Sequence, residues 1–215
     1  MTETIKHHLT DTLLTAYAAG NLPEAFNLMV ATHLSLCDSC RAQAEALEAV
    51  GGCLLAECGT EAMAADALEA TFARISTGTA VPARRRNACS VLPQPLRDYV
   101  GGDVSAIRWK PVGMGVRQAI LPTSSAASAR LLFIPAGAAV PDHGHRGVEL
   151  TMVLQGAFSD EVDRFTRGDV EVADEELEHM PVADPGEDCI CLAVTDAPLR
   201  FNSWIPRLVQ PFLRI

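Results

Sequence analysis

The sequence contains no uninterrupted apolar run approaching twenty residues, which excludes a membrane-spanning helix of ordinary length. Its opening, Met1-Thr2-Glu3-Thr4-Ile5-Lys6, lacks the basic start and apolar stretch of a secretory leader. Together these absences point to a cytoplasmic protein. There is no internal repeat, and no low-complexity tract outside one short connector. Basic residues are scarce, 17 Lys and Arg against 27 Asp and Glu, for a formal net charge of −10. The scarcity is uneven. Residues 1–80 carry ten acidic side chains against Lys6, Arg41 and Arg74, whereas 81–89 carry only Arg84, Arg85 and Arg86. An acidic first segment is repelled by phosphates, so it is a poor direct DNA binder. It suits a partner that exposes basic surface. The Arg run reads as a solvated connector rather than a nucleic-acid patch. Cysteine is limited to seven residues, an odd number. In a reducing compartment these are metal ligands, redox groups or packed thiols rather than a disulfide framework.

What is present is ample apolar material, 48% of 215 residues, enough for one or two domains with a sizeable core. Residues 1–75 have the pattern of a small helical domain of four helices. Thr10 is a natural N-cap for a helix reaching Ala19, with Gly20 as its stop. Asn21-Leu22-Pro23-Glu24 opens a second helix with Pro in its first turn. On it Phe26, Met29, Val30, His33 and Leu34 share one broad face. A third helix runs from about Asp38 to Gly51-Gly52 or slightly beyond. A fourth covers roughly Thr60 to Ile75, with Leu68, Phe72 and Ile75 on one side, a stripe for a small core or for a partner. Residues 76–95, with Pro82, the triple Arg, Pro93 and Pro95, read as a flexible linker. From about residue 96 to the C-terminus the period changes to short strands. Apolar runs at Arg117–Leu121, Ala129–Ile134, Leu150–Leu154, Asp169–Val172, Cys189–Val194 and Leu199–Phe201 are punctuated by Gly, Pro and Asp. The expected class is α+β multidomain, a helical N-terminal part followed by an all-β sandwich or barrel.

Two clusters carry chemistry. The first is His33-x3-Cys37-x2-Cys40. His33 and Cys37 are one helical turn apart, and a tight corner at Asp38-Ser39 returns Cys40 to the same point. An imidazole and two thiolates form a zinc-like ligand set that lacks a fourth member, for which His7 and His8 are the nearest candidates. This softer cluster is expected to hold its metal whether or not the β half is present. The second cluster is His143-Gly144-His145 with Glu149, followed downstream by His179. Three imidazoles and a carboxylate make a harder, mixed site that accepts zinc, manganese, iron or nickel. Cys189 and Cys191 fall on one face of a strand, a candidate redox pair or simply two packed thiols. Cys53, Cys58 and Cys89 have no evident role.

The second cluster resembles the cupin motif G-x5-H-x-H-x3,4-E-x6-G, matched by Gly137, His143, His145, Glu149 and Gly156. The second cupin motif is kept at Gly168 and His179, while Asp174, Glu176 and Ala183 depart from its Pro, Gly and Asn. The resemblance implies a β-barrel with His143, His145, Glu149 and His179 as metal ligands. Residues 1–75 resemble a zinc-binding anti-sigma domain, which implies His8 as the ligand completing His33, Cys37 and Cys40. A helical module of this kind followed by one cupin is similar to the ChrR-type anti-sigma factors of proteobacteria. The Tyr17 helix and the runs DHGHRGVELT, LEH, DCICLA and LRFNSWIP extend the likeness along nearly the whole chain.

The resemblance implies two zinc ions and no catalytic activity. It also implies one-to-one sequestration of an extracytoplasmic-function (ECF) sigma factor by the helical domain, without direct DNA contact or membrane association. Release would follow oxidative stress sensed by the cupin, singlet oxygen foremost with organic hydroperoxides a further candidate, and would involve proteolysis. The alternative is a metal-dependent cupin enzyme, a dioxygenase or isomerase, with a regulatory helical domain.

Overall fold

In the computed structural model the described residues are 4–78, 90–140, 143–144, 147–173, 178–197 and 200–201. The helical part comes first: α1 (Asp11–Ala18), α2 (Glu24–Leu34), α3 (Asp38–Glu57), α4 (Ala67–Thr77) and α5 (Gln94–Val100). The strands follow as β1 (Lys110–Gly113), β2 (Val116–Ile120), β3 (Ser128–Ile134), β4 (His143–Gly144), β5 (Glu149–Gln155) and β6 (Ala157–Ser159). The remainder are β7 (Arg164–Thr166), β8 (Val170–Ala173), β9 (Glu178–His179), β10 (Val182–Ala183), β11 (Cys189–Thr195) and β12 (Arg200–Phe201). The class is α+β, with a β-rich C-terminal part.

Local chemistry explains most helix ends. Thr10 caps α1, its Oγ1 accepting from the N–H of Leu13 at 3.3 Å, and Gly20 (φ +70) ends the segment as the sequence predicts. Pro23 sits one position earlier than expected. It is the N-cap of α2 in an extended conformation, where its ring and missing N–H cost nothing. The expected corner at Asp38-Ser39 lies instead at Ser35–Cys37. Cys37 is the N-cap of α3 and its Sγ accepts from the N–H of Cys40 at 3.5 Å, so Asp38 and Ser39 are already helical. The fourth helix starts later than expected, at Ala67, and buries no residue.

The connector is shorter than the expected 76–95. Residues 79–89 lie outside the described residues, but α4 continues to Thr77, and residues 90–95 are anchored. Leu92 and Leu96 are fully buried, and the Asp103 carboxylate accepts the N–H groups of Val91 and Leu92 at 3.2 and 2.9 Å. Two prolines that look like linker residues in fact open α5, a first-turn position that tolerates them.

Six strands form one antiparallel sheet in the order β1-β2-β3-β11-β5-β8, with two three-stranded sheets, β10-β6-β7 and β12-β4-β9. Alternation along β5 and β11 sends side chains to two different cores. Leu150, Met152, Leu154, Ile190, Leu192 and Val194 join the core that also contains Leu14, Phe26, Met29 and Val30 of the helices. Val153, Cys189 and Cys191 join a second core with Val116, Phe158 and Phe165. The sheet is thus apolar on both faces, and α2 lies on one of them, against β3, β5 and β11. This accounts for a helix buried on nearly every side: Ala25, Phe26, Leu28, Met29, Val30, Thr32 and His33 are all covered. The Glu24 carboxylate adds a polar tie, accepting from the Tyr99 hydroxyl at 2.7 Å and the Ser124 N–H at 2.6 Å.

A shared core has a measurable consequence. Met29→Ala, at a position with 0% exposure, is expected to cost about 2–5 kcal/mol. The loss should appear equally by helical circular dichroism and by tryptophan fluorescence, since both tryptophans lie beyond residue 100. Two separated transitions in denaturant, only the helical one shifted, would show that the halves unfold independently.

Candidate metal centre

His8, His33, Cys37 and Cys40 converge, each offering a ligand atom within 4.8 Å of the others. Three elements place them. His33 ends α2, Cys37 caps α3, and Cys40 lies in the first turn of α3, so the α2–α3 corner supplies three ligands. His8 arrives from the extended segment before α1. Its Nδ1 stands 3.3 Å from Cys37 Sγ and 3.5 Å from Cys40 Sγ. Those separations fit ligands bonded at about 2.0–2.3 Å to one tetrahedral centre.

The protonation states also fit. His33 is fully buried, and its Nδ1 donates to the Gly168 carbonyl at 2.9 Å, because a carbonyl can only accept. The proton is therefore on Nδ1, and Nε2, buried without a hydrogen-bond partner, carries a lone pair aimed at the cluster. Burial pushes the His33 pKa down to about 4, so the ring is neutral, the form a metal requires. Burial, together with the nearby Cys37, pushes the Cys40 thiol up to about 11. A buried thiol of that kind becomes a thiolate only beside a cation. An orphaned imidazole nitrogen and two paired sulfurs are the donor set of a structural metal site.

The geometry separates the two adjacent histidines. His8 faces the sulfurs, while His7 faces the β half, its ring 4.4 Å from Phe165 and its Nε2 3.0 Å from an Asp163 oxygen. The site is also not self-contained. The hydrogen bond from His33 to Gly168 reaches across to the β7–β8 turn, so the β half takes part in orienting a helical ligand.

The second cluster is described in part. His143 in β4 pairs in register with His179 in β9, and Gly144 with Glu178. Glu149 begins β5, is buried, and accepts from the Thr151 hydroxyl at 3.2 Å. Its position on β5 puts it on the sheet face opposite Leu150 and the helices. His145 lies outside the described residues. Sequence reasoning overlooked Arg130, a buried guanidinium close enough to Glu149 for the carboxylate's charge to oppose the loss of its proton. A lone Arg inside an otherwise apolar run, Ala129–Ile134, was the available signal.

Cys189 and Cys191 are fully buried with sulfurs 3.4 Å apart. The hydrogen bond shared with Cys189 and complete burial push the Cys191 thiol well up from its ordinary value. It is therefore a poor nucleophile in this conformation.

No helix among the described residues is long and apolar enough to cross a membrane. Residues 98–198 match the family described as ChrR Cupin-like domain. Over 99% of its length the chain is 62% identical to the anti-sigma-E factor ChrR of Cereibacter sphaeroides, all of which is covered. It also resembles a chain in the crystal structure of Rhodobacter sphaeroides SigE in complex with the anti-sigma ChrR. That match has a TM-score of 0.80 and 58% identity, covering 90% of this chain and 100% of that one.

Proposed function

Because the chain belongs to the ChrR family of anti-sigma factors, we propose that it binds an ECF sigma factor one to one and holds it inactive. It is a regulator, and the reading as a metal-dependent cupin enzyme falls away. The observation that carries the docking surface is an unpartnered apolar face. The second half of α3 and the whole of α4 expose Val50, Leu54, Leu55, Leu68, Phe72 and Ile75, each at least 59% accessible. So large an apolar surface on two helices marks a protein interface. Glu48, Glu57, Glu61, Asp66 and Glu69 flank these residues in the sequence, suiting a partner with basic and apolar surface.

In this reading zinc occupies His8, His33, Cys37 and Cys40 and organises the helical domain, residues 1–75. Structural zinc contributes about 10–16 kcal/mol of folding free energy in small modules. A connector after Thr77 and before residue 90 leads to the cupin, in which the three sheets wall a closed barrel. A second metal, held by His143, His145, Glu149 and His179, makes that barrel the sensor. The protein acts in the cytoplasm, and oxidative stress, singlet oxygen foremost and organic hydroperoxides as well, releases the sigma factor with proteolysis of the inhibitor. Cys189 and Cys191 would be oxidised after the barrel opens, given their burial.

The test is the purified full chain mixed with its sigma factor. One-to-one co-elution on gel filtration and loss of sigma-dependent transcription are expected. Leu68→Ser combined with Phe72→Ser should weaken binding at least about tenfold without changing the melting temperature, since two exposed apolar anchors are removed. Unaltered affinity in that double variant would move the docking surface elsewhere. No complex with any ECF sigma factor from the same genome would sink the function itself.

A further inference from the structure

The two imidazoles of the metal centre are held from outside the helical half. Between β7 and β8 the chain turns at Gly168 and Asp169. Gly168 has φ +92, a backbone conformation that favours glycine, and a Cβ there would fall 2.6 Å from Ile5 Cδ1 and displace the tip of that side chain. Its carbonyl accepts the His33 Nδ1 proton at 2.9 Å. Asp169 is fully buried. One carboxylate oxygen accepts the N–H groups of Lys6 at 2.6 Å and His7 at 2.9 Å. The other accepts the N–H and hydroxyl of Thr166, both at 2.8 Å. The Val170 N–H donates back to the His7 carbonyl at 3.1 Å. Residues 6 and 7 are thereby pinned along the turn, and the next residue is the ligand His8.

We propose that Gly168 and Asp169 are positioning residues for the helical metal centre, so that the β7–β8 turn of the cupin sets how tightly the helical half holds its metal. The inference rests on the assignment of His8, His33, Cys37 and Cys40 as a metal site. Gly168 fixes the tautomer and orientation of His33, and Asp169 fixes the backbone that delivers His8. The two cysteines are supplied by the α2–α3 corner. Removing an outer partner of a metal-bound imidazole commonly weakens metal affinity by about 10–100-fold. Asp169→Asn places an amide NH2 against N–H donors or leaves one pair of them without an acceptor, so His8 loses its fixed approach. The coupling runs both ways. Metal bound at His8 and His33 must steady the turn by the same factor by which the turn steadies the metal.

The experiment compares the full chain with Asp169→Asn and with Val116→Ala, a control on β2 in the core on the far face of the sheet. Zinc affinity is read by competition with a chromogenic chelator, and melting temperature is read alongside. Asp169→Asn is expected to bind zinc at the helical site about 10–100-fold more weakly. Val116→Ala, though destabilised, should stay within about twofold, which a merely structural role for Asp169 would not produce. Equal affinities in wild type and Asp169→Asn overturn the proposal. Should Asp169→Asn fail to fold, hydrogen exchange on the wild type decides. The Val170 amide, bonded to His7, should exchange at least about tenfold more slowly in zinc-loaded than in zinc-stripped protein. Equal exchange overturns the coupling. A wild-type chain that takes up no zinc at the helical site overturns the metal assignment and this inference together, which the affinity of the unaltered protein reveals before any variant is made.

Discussion

Cys40→Ser in the full chain is expected to empty the helical metal centre and reduce sigma-factor inhibition by at least about a hundredfold. Cys40 is 1% exposed, and its sulfur stands 3.5 Å from the His8 nitrogen. A serine hydroxyl is shorter and harder, and it stays protonated at neutral pH, so it cannot replace a thiolate toward zinc. The three remaining ligands are left without the charge that makes the site closed. Loss of even half of the roughly 10 kcal/mol that structural zinc contributes is comparable with the whole net stability of a typical domain, about 5–15 kcal/mol. Because the α2–α3 corner is built on the same ligands, α3 loses its anchored first turn, and the exposed face farther along α3 loses its fixed direction. Cys53→Ser makes the natural control, since Cys53 is exposed on α3 and outside the cluster. Zinc-to-protein ratio by atomic emission and single-round transcription check the result. Full zinc occupancy with normal inhibition in Cys40→Ser would show that this cluster does not organise the inhibitor.

The local parts of this architecture were legible in the chain, and the long-range parts were not. Thr10 and Gly20 bracket α1 because capping is decided within four residues. The ligand trio of the α2–α3 corner is legible for the same reason, since His33, Cys37 and Cys40 are close in sequence, although the corner falls between His33 and Cys37 rather than after Cys37. His7 and His8, by contrast, are adjacent on an extended segment, and neighbouring side chains there point opposite ways. Which one meets the sulfurs is settled by Asp163 and Asp169, more than 150 residues downstream. The fusion of the two halves was hidden by the same distance. Leu28 and Ala25 widen the apolar stripe of α2 beyond what a small helical core uses, a sign of a second contact surface that only the sheet reveals. The strands β4 and β9 have two residues each, too short for any period to register, yet they set His143 opposite His179. For the cupin the spacing motif therefore carried information that secondary-structure patterning lacked.

His143→Ala or Glu149→Gln is expected to leave repression intact while blunting the response to singlet oxygen. Repression should survive because the exposed face of α3 and α4 and the helical metal centre contain neither residue. The response should fail because both residues are assigned to the second metal, and Glu149 lies on the sheet face turned away from the helices. Strand β5 offers the physical route between them. Glu149 and Thr151 project to one side, while Leu150, Met152 and Leu154 project to the core shared with Phe26, Met29 and Val30 of α2. A change of ligation at Glu149, whether from oxidation of an imidazole or loss of the ion, shifts the strand register or its local twist. Close-packed cores transmit such shifts rather than absorb them. Coupling of about 1–3 kcal/mol, a typical allosteric magnitude, changes the population of the releasable complex about 5–150-fold. Replacing both Cys189 and Cys191, which pack beneath the same face, should act more on a peroxide response than on singlet oxygen, because buried thiols react only when the packing around them opens. The measurement is a sigma-dependent reporter in cells, with and without a photosensitiser in light, at matched protein levels. Uninduced reporter activity should equal that of the wild type in every variant, and light-induced activity should drop several-fold for His143→Ala and Glu149→Gln. Full induction in both would remove the sensor role from the cupin metal site.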